Sequence, residues 1–386
     1  MTELELLIRS EIRDRGPMRF DRFMEMALYQ PGLGYYVKSA GPLAVGRSGD
    51  FYTSVSVGPL FGRLLARQFL QMWQGLGKPS RFWLIEQGAH DGQLARDILM
   101  WCRAETPEFF AAIWYGIVHP SGKAEIKPRE VQEAEQIADL TWFENWEAVA
   151  AVSPTGVFFS NELVDAFPVR AIVYRKGKWL EQYVTTADEG FVWFDRPVLD
   201  DELKQAIAEL PLLPIEGYTT EINLRARHWM TSVGKALTRG YVLTIDYGYP
   251  AWIYYADFRS HGTLTAYLKH KANDEVLQDP GGQDLTAHVD FTALAKVGET
   301  VGLTTLGFLD QQHLLMGIAH DELSGAEGPK VKLAESLRAW NSLTHPDFLG
   351  TKFLALLQGK DAPRELDGLR FARPGGLEPG DGQASV

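Results

Sequence analysis

The sequence contains a single cysteine, Cys102, among 386 residues, which excludes internal disulfides and metal sites built from cysteines. No apolar run approaches the ~20 residues of a membrane-spanning helix, and no segment resembles a signal peptide. Acidic residues outnumber basic ones by 50 to 38, and the formal net charge of −12 argues against broad electrostatic binding to nucleic acid. We therefore expect a protein of the reducing cytoplasm, without a membrane span and without a nucleic-acid partner.

Short apolar strands and amphipathic helices alternate through most of the chain. Such near-continuous apolar strands, separated by helices, indicate a mostly parallel sheet that is covered on both faces. The predicted core strands are 81–88, 112–119, 140–146, 156–163, 240–248, 303–309 and 352–359. The chain is thus predicted to be an α/β protein.

The order of these patterns predicts five segments, and two of them, 81–168 and 239–360, together form one core. They are N-terminal helices with a glycine-rich loop (1–80), the first part of the core (81–168), an inserted α/β region that opens with a β-hairpin (169–238), the remainder of the core with a long excursion at 250–300 (239–360), and a tail (361–386). The tail is rich in proline, glycine and charge and lacks apolar periodicity, so it is predicted to be disordered.

The turn between the first core strand and the next helix is bracketed by Gly88 and Gly92. Glycines at such a turn let backbone N–H groups approach a ligand without obstruction from side chains. The dinucleotide-binding pattern G-x-G-x-x-G is absent. The loop Glu86-x-Gly88-x-His90-x-Gly92 alone is therefore compatible with a cofactor site or with nothing more than a tight turn.

Further motifs follow one another in a fixed order along the chain. They are "GDFYTS" (49–54), "NELVDAFPV" (161–169), "EIN" (221–223), "IDYG" (245–248), "GTLTAY" (262–267) and "GGQDLTAHVDF" (281–291). Together with the glycine loop they resemble the MidA-like family of class I S-adenosylmethionine (SAM) methyltransferases, over roughly residues 5–360. The resemblance implies a Rossmann-like, mostly parallel sheet with an inserted α/β region.

The same resemblance implies a function and a cofactor. The family includes a mitochondrial arginine methyltransferase required for assembly of respiratory complex I, so we expect SAM-dependent methyl transfer to a protein side chain, arginine, in a substrate or an assembly partner. The residues that would contact SAM by position are Asp50, Thr53, Ser54, Glu86, Gly88, His90, Gly92, His119 and Asn161.

Carboxylates suit a guanidinium acceptor because they bind its N–H groups in pairs. The candidates for catalysis are Glu162, Asp165, Glu221 and Asp246, each with helix capping or another structural role as the alternative. His270 and His288 fall inside the family motifs as acid–base candidates or buried hydrogen-bonding residues. No metal-binding spacing of the His-Glu-x-x-His type is present, so no metal is predicted.

The sequence departs from the family pattern at two histidines. His90 replaces a glycine of the loop, and His119 stands where an acidic residue would accept hydrogen bonds from both ribose hydroxyls of SAM. A neutral imidazole has one acceptor nitrogen and cannot accept both. These changes are either compensated by neighbours or weaken SAM binding, and the second case predicts an alternative function: a non-catalytic binding or assembly factor with the methyltransferase fold.

Overall fold

A computed structural model of the chain describes residues 1–37, 53–119, 129–211, 215–268, 271–373 and 375–379. In these ranges the strands are β1 (Met18–Arg19), β2 (Phe82–Gln87), β3 (Ile113–Val118), β4 (Leu140–Phe143), β5 (Thr155–Asn161), β6 (Arg170–Arg175), β7 (Lys178–Thr186), β8 (Phe191–Pro197), β9 (Thr219–Ile222), β10 (Arg239–Tyr249), β11 (Thr265–Leu268), β12 (Lys271–Asn273), β13 (Asp284–Thr286), β14 (Val289–Asp290), β15 (Thr304–Asp310) and β16 (Phe353–Lys360).

The α-helices of the same ranges are α1 (Glu3–Arg15), α2 (Phe20–Tyr29), α3 (Leu60–Gly75), α4 (Gln93–Glu105), α5 (Pro107–Ala112), α6 (Arg129–Ile137), α7 (Trp146–Ala150), α8 (Asp201–Ala208), α9 (Leu224–Ala236), α10 (Ala251–Tyr254), α11 (Phe291–Thr300), α12 (Gln311–Leu323) and α13 (Leu337–Thr344). Among the described residues, no helix is long and apolar enough to cross a membrane.

The chain divides into two compact units. One, called here the hairpin unit, comprises Met1–Tyr52, Val164–His228 and Gly248–Asp290. The other, the core unit, comprises Thr53–Leu163, Trp229–Tyr247 and Phe291–Val386. The hairpin unit thus contains α1 and α2 with most of the predicted insertion and most of the predicted excursion, whereas α3 lies in the core unit.

The core unit is built on a sheet whose strand order is β15-β16-β10-β5-β2-β3-β4. The five strands from β10 to β4 are parallel, whereas β16 runs antiparallel to both β10 and β15. This confirms the predicted mostly parallel α/β core. Strand β2 pairs with β3 on one side and with β5 on the other, so the strand order reverses direction at β2. A crevice is therefore expected at the carboxyl ends of β2 and β5.

The hairpin unit contains an antiparallel sheet in which β7 pairs with β6, β1 and β8, and β6 also pairs with β9. Arg175 pairs with Lys178 across a two-residue turn at Lys176-Gly177. Both turn residues have left-handed backbones, with φ of 52° and 76°, as expected for a tight hairpin turn that matches the twist of its strands. The predicted hairpin is therefore present.

The predicted disorder of the tail is wrong for 361–373 and 375–379. Leu366 is buried in the core, and a short 3-10 helix follows it at Asp367–Leu369. The backbone N–H groups of Asp367 and Gly368 donate to the side-chain oxygens of Gln71 and Gln68 on α3, both at 2.8 Å. The few apolar residues here show no period along the sequence, yet Leu366 is buried, whereas Phe371 stays exposed. Residues 374 and 380–386 lie outside the described ranges.

Candidate functional site

The turn from β2 to α4 adopts left-handed backbone conformations at three alternate positions. Gly88, His90 and Gly92 have φ values of 83°, 43° and 80°. A Cβ at Gly92 would lie 2.4 Å from Cγ2 of Val131 on α6, so close packing as well as backbone conformation demands glycine there. Histidine is among the side chains that tolerate a left-handed backbone, which accounts for its occurrence at position 90.

The His90 side chain projects from this turn and is 47% exposed. Its Nδ1 lies 3.8 Å from Oδ1 of Asp91. The same Asp91 oxygen accepts a hydrogen bond of 3.0 Å from the backbone N–H of Gln93 in the first turn of α4. The substitution at position 90 therefore leaves the strand–turn–helix geometry intact.

Glu86, the penultimate residue of β2, has a buried carboxyl group that is only 3% exposed. Burial raises the pKa of Glu86 to about 7, although the hydrogen bond of 2.5 Å donated by the Tyr115 hydroxyl lowers it. Near neutral pH this carboxyl is therefore divided between its protonated and ionised forms.

Gln87, the last residue of β2, was not singled out from the sequence. Its side-chain oxygen accepts hydrogen bonds from the indole N–H groups of Trp146 and Trp229, at 2.9 and 2.8 Å. An indole N–H can only donate, so the two tryptophans fix which end of the Gln87 amide faces them. No local pattern in the sequence indicates this pairing.

His119 follows β3, at the same edge of the sheet, and its side chain is exposed. Its backbone N–H donates to the Phe143 carbonyl oxygen at 2.9 Å, and its ring centroid lies 6.4 Å from that of Trp142. The buried indole nitrogen of Trp142 has no hydrogen-bond partner among the described residues. Buried donors of this kind are rarely left unsatisfied, so a water, a ligand or a group outside the described residues is expected to accept this hydrogen bond.

Asn161 and Glu162 stand at the carboxyl end of β5. Glu162 has a left-handed backbone with φ of 55°, uncommon for a residue other than glycine and often found at functional sites. Its Oε1 accepts hydrogen bonds from Asn161 Nδ2 at 2.9 Å and from the Ser54 backbone N–H at 3.3 Å. The Asn161 Oδ1 atom is buried without a partner among the described residues.

Asp246, on the neighbouring strand β10, is fully buried. Its two oxygens accept hydrogen bonds from the backbone N–H groups of Leu163 at 3.1 Å and Tyr247 at 2.8 Å. The Glu162 N–H in turn donates to the Ile245 carbonyl oxygen at 3.0 Å. The structure thus brings Glu162 and Asp246 together, with Asp246 holding the turn on which Glu162 stands.

Asp165 and Glu221, by contrast, belong to the hairpin unit. The Glu221 carboxylate is 3% exposed and accepts hydrogen bonds from the backbone N–H groups of Thr263 and Leu264 and from the Tyr254 hydroxyl, at 3.0–3.2 Å. These contacts favour the structural alternative for Glu221. Burial raises the pKa of Asp165 to about 7.

Thr53 and Ser54, which were predicted to contact the cofactor, make hydrogen bonds to other residues of the core unit. Thr53 Oγ1 accepts from the Ser56 N–H at 3.1 Å, and the Ser56 hydroxyl donates to the Thr53 carbonyl oxygen at 2.8 Å. The Ser54 hydroxyl donates to Oε1 of Gln311 at 2.8 Å. Both residues shape the turn before α3.

The remaining predicted residues are Asp50, His270 and His288. Asp50 and His270 lie outside the described residues. His288 lies in the hairpin unit, where burial lowers its pKa to about 4 and leaves the ring neutral at pH 7. Within the described ranges, no group of three or more His, Cys, Asp or Glu side chains could hold a metal ion.

The core unit therefore combines a glycine turn after β2 with unsatisfied polar atoms on β4 and at the end of β5, the two strands that flank the β2–β3 pair. This arrangement, on a sheet with one antiparallel strand next to its edge, defines a class I SAM-dependent methyltransferase.

Comparison with known proteins identifies the family. The sequence profile of the S-adenosyl-L-methionine-dependent methyltransferases of the MidA type matches residues 64–309, and the chain belongs to this family. It is similar to the mitochondrial protein arginine methyltransferase NDUFAF7 of Danio rerio, with 27% identity over 382 residues (90% of this chain and 84% of the relative). The homologous protein of Drosophila melanogaster is 25% identical over 384 residues (91% and 84%).

A solved structure extends this likeness to three dimensions and to the cofactor. A protein from Burkholderia thailandensis, crystallised with bound S-adenosyl-homocysteine, has 29% sequence identity and a TM-score of 0.81, over 96% of this chain and 95% of that one. SAM is the cofactor of this chain, which is a SAM-dependent methyltransferase. The alternative of a non-catalytic family member is not favoured.

The predicted cytoplasmic location is wrong, because the relatives are named as mitochondrial proteins. A low cysteine content argues only against disulfides, a property that does not distinguish the cytoplasm from other reducing compartments.

Proposed function

We propose that this protein transfers the methyl group of SAM to a guanidinium nitrogen of an arginine in a protein substrate. The observation that carries the proposal is the carboxylate of Glu162, held in a left-handed turn at the carboxyl end of β5. The relatives from Danio rerio and Drosophila melanogaster, which are named protein arginine methyltransferases, support arginine as the acceptor.

The residues at the carboxyl edge of the sheet fit the cofactor. SAM carries hydroxyl, amino and carboxylate groups, and the edge offers a buried donor and a buried acceptor that lack partners among the described residues, Trp142 Nε1 and Asn161 Oδ1. Gly88 and Gly92 would leave backbone N–H groups of the turn accessible to it. We assign the cofactor to these residues together with Glu86, His90 and His119.

When bound, SAM would supply the methyl group of its sulfonium: the carbon–sulfur bond would break as the carbon–nitrogen bond forms, S-adenosyl-homocysteine would be left, and the acceptor nitrogen would release one proton. The protein must then hold an acceptor nitrogen in line with that methyl group. A carboxylate can bind a guanidinium through two N–H groups, which orients the acceptor and stabilises its positive charge. We assign this task to Glu162.

Asp246 has a different task in the proposal. Its oxygens accept hydrogen bonds from backbone N–H groups, including that of Leu163, directly after Glu162. We therefore assign Asp246 the role of a positioning residue that keeps Glu162 on its turn. The predicted partner, an assembling respiratory complex, stays a prediction.

The proposal is tested by labelling. The full-length protein is incubated with SAM carrying a tritiated methyl group and with protein extracted from cells that lack this gene, and the acid hydrolysate is analysed for methylarginine. Glu162→Gln should abolish the label while calorimetric affinity for S-adenosyl-homocysteine stays within a few-fold. Glu147→Gln, a change at an exposed carboxylate on α7, is the matched control. Label in another amino acid, or equal label with Glu162→Gln, would contradict the proposal.

A further inference from the structure

The buried glutamine at the start of α12 connects two distant segments of the core unit. The side chain of Gln311 is fully buried. Its Nε2 donates to the Leu343 carbonyl oxygen at 3.0 Å, and its Oε1 accepts from the Ser54 hydroxyl at 2.8 Å. Because a carbonyl oxygen can only accept, the amide orientation is fixed, and the Ser54 hydroxyl must act as the donor.

Ser54 carries this constraint to the proposed acceptor site. Its side chain is fully buried, and its own backbone N–H donates to Oε1 of Glu162 at 3.3 Å. With the hydroxyl held by Gln311, the N–H of the same residue is held toward the carboxylate. Asn161 Nδ2 also donates to that oxygen.

From this chain of contacts we infer that Gln311 is a positioning residue for methyl transfer, acting on Glu162 through Ser54. The inference rests on the proposed role of Glu162. Gln311 itself touches neither cofactor nor acceptor in this scheme. Its amide ties the carboxylate to the Leu343 carbonyl at the end of α13, so C-terminal elements of the core unit help to orient the acceptor.

The effect of removing the amide can be estimated. Gln311→Met keeps the length and volume of the side chain but leaves the buried Ser54 hydroxyl and the Leu343 carbonyl oxygen without their present partners. A hydrogen bond to a charged group that loses its alignment corresponds to a fall in kcat of about tenfold. Affinity for S-adenosyl-homocysteine should change by less than about threefold, because the proposal gives Glu162 no contact with the cofactor, whereas the KM of the protein substrate should rise, because Glu162 binds its guanidinium.

Gln358 provides a matched control in the same unit. It is also a fully buried glutamine whose Nε2 donates to a backbone carbonyl oxygen, that of Ala295, at 3.1 Å. Gln358→Met should destabilise the protein comparably yet leave kcat within about twofold. Equal losses of kcat in Gln311→Met and Gln358→Met would show that Gln311 acts through stability alone and would overturn the inference.

The route through Ser54 is tested by the double variant. Ser54→Ala removes the hydroxyl that Gln311 holds, so Ser54→Ala and Gln311→Met should each lower kcat, and the double variant should be no worse than the poorer single. Multiplicative losses of kcat in the double variant would overturn the route.

A second measurement separates failure of this inference from failure of the proposed function. If the wild-type protein produces no methylarginine, the proposed function fails, but urea unfolding of Gln311→Met, Glu162→Gln and their double variant still measures whether the two sites are coupled. Non-additive losses of stability support the connection, and additive losses overturn it.

Discussion

The buried carboxyl of Glu86 makes the stability of the protein depend on pH in a defined direction. Burial raises its pKa from the ordinary 4.5 to about 7 in the folded protein. The unfolded chain therefore releases this proton more readily than the folded one, and ionisation favours unfolding. Ionisation of Glu86 therefore lowers the free energy of unfolding. This loss of stability is absent below pH 4.5, grows between pH 4.5 and 7, and levels off above pH 7.

Glu86→Gln removes this loss of stability, because the amide stays neutral and its oxygen can still accept the hydrogen bond from Tyr115. The free energy of unfolding of the variant should exceed that of the wild type by less than about 1 kcal/mol at pH 5 and by roughly 3 kcal/mol at pH 8. The larger value is the shift in pKa converted to free energy and is an upper bound, since solvent relaxation reduces it.

Urea unfolding of both proteins without cofactor, at four pH values from 5 to 8, measures this difference. Glu147→Gln, at an exposed carboxylate, should show no such trend and controls for the general effect of net charge. A stability difference between Glu86→Gln and wild type that is flat with pH would refute the reasoning, because it would mean that Glu86 is ionised in the folded state as easily as in the unfolded one.

Three further predictions concern packing and buried hydrogen bonds. Gly92→Ala should lower the free energy of unfolding by roughly 2–5 kcal/mol, because backbone strain at φ of 80° adds to the overlap with Val131. Gly77→Ala, a control with a left-handed backbone but open space around it, should lower it by about 1–2 kcal/mol, and equal urea midpoints for the two variants would contradict this prediction. Deleting 364–386 removes the docked 3-10 helix and should lower Tm by about 5 °C or more. An unchanged melting curve would instead support a tail that does not pack against the core. Asp246→Asn replaces one acceptor oxygen by an amino group that faces a backbone N–H, so the free energy of unfolding, measured with urea, should fall by about 1–3 kcal/mol. An unchanged free energy of unfolding would show that the carboxylate does not hold the turn.

The parts of the molecule that repeat a local pattern were predictable. Strands β2 and β5 read as apolar runs because both of their faces are covered, and five of the six residues of β2 are buried. The turn at Lys176-Gly177 was predictable because alternating strands flank residues that accept left-handed backbones. The glycine turn belongs to the same group, since its spacing is set by two adjacent elements.

The polar contacts of the candidate site were less predictable. Glu162 and Asp246 were both selected as carboxylates, but only the pairing of β5 with β10 shows that one supports the turn carrying the other. Glu221 was selected on the same ground, and its partners Thr263 and Leu264 lie more than forty residues further along the chain. A carboxylate has the same sequence signature whether it faces a ligand or a neighbouring loop.

By itself, the sequence determined the α/β class, the core strands, the glycine turn and the family, because each depends on local periodicity or on ordered motifs. Only the tertiary structure decided that Gln87 binds two tryptophans, that Gln311 reaches Ser54, and that Leu366 in the tail is buried. The physical reason is that a hydrogen bond or an apolar contact requires two groups to meet in space, and chain folding brings together residues whose separation in sequence carries no signal of their contact.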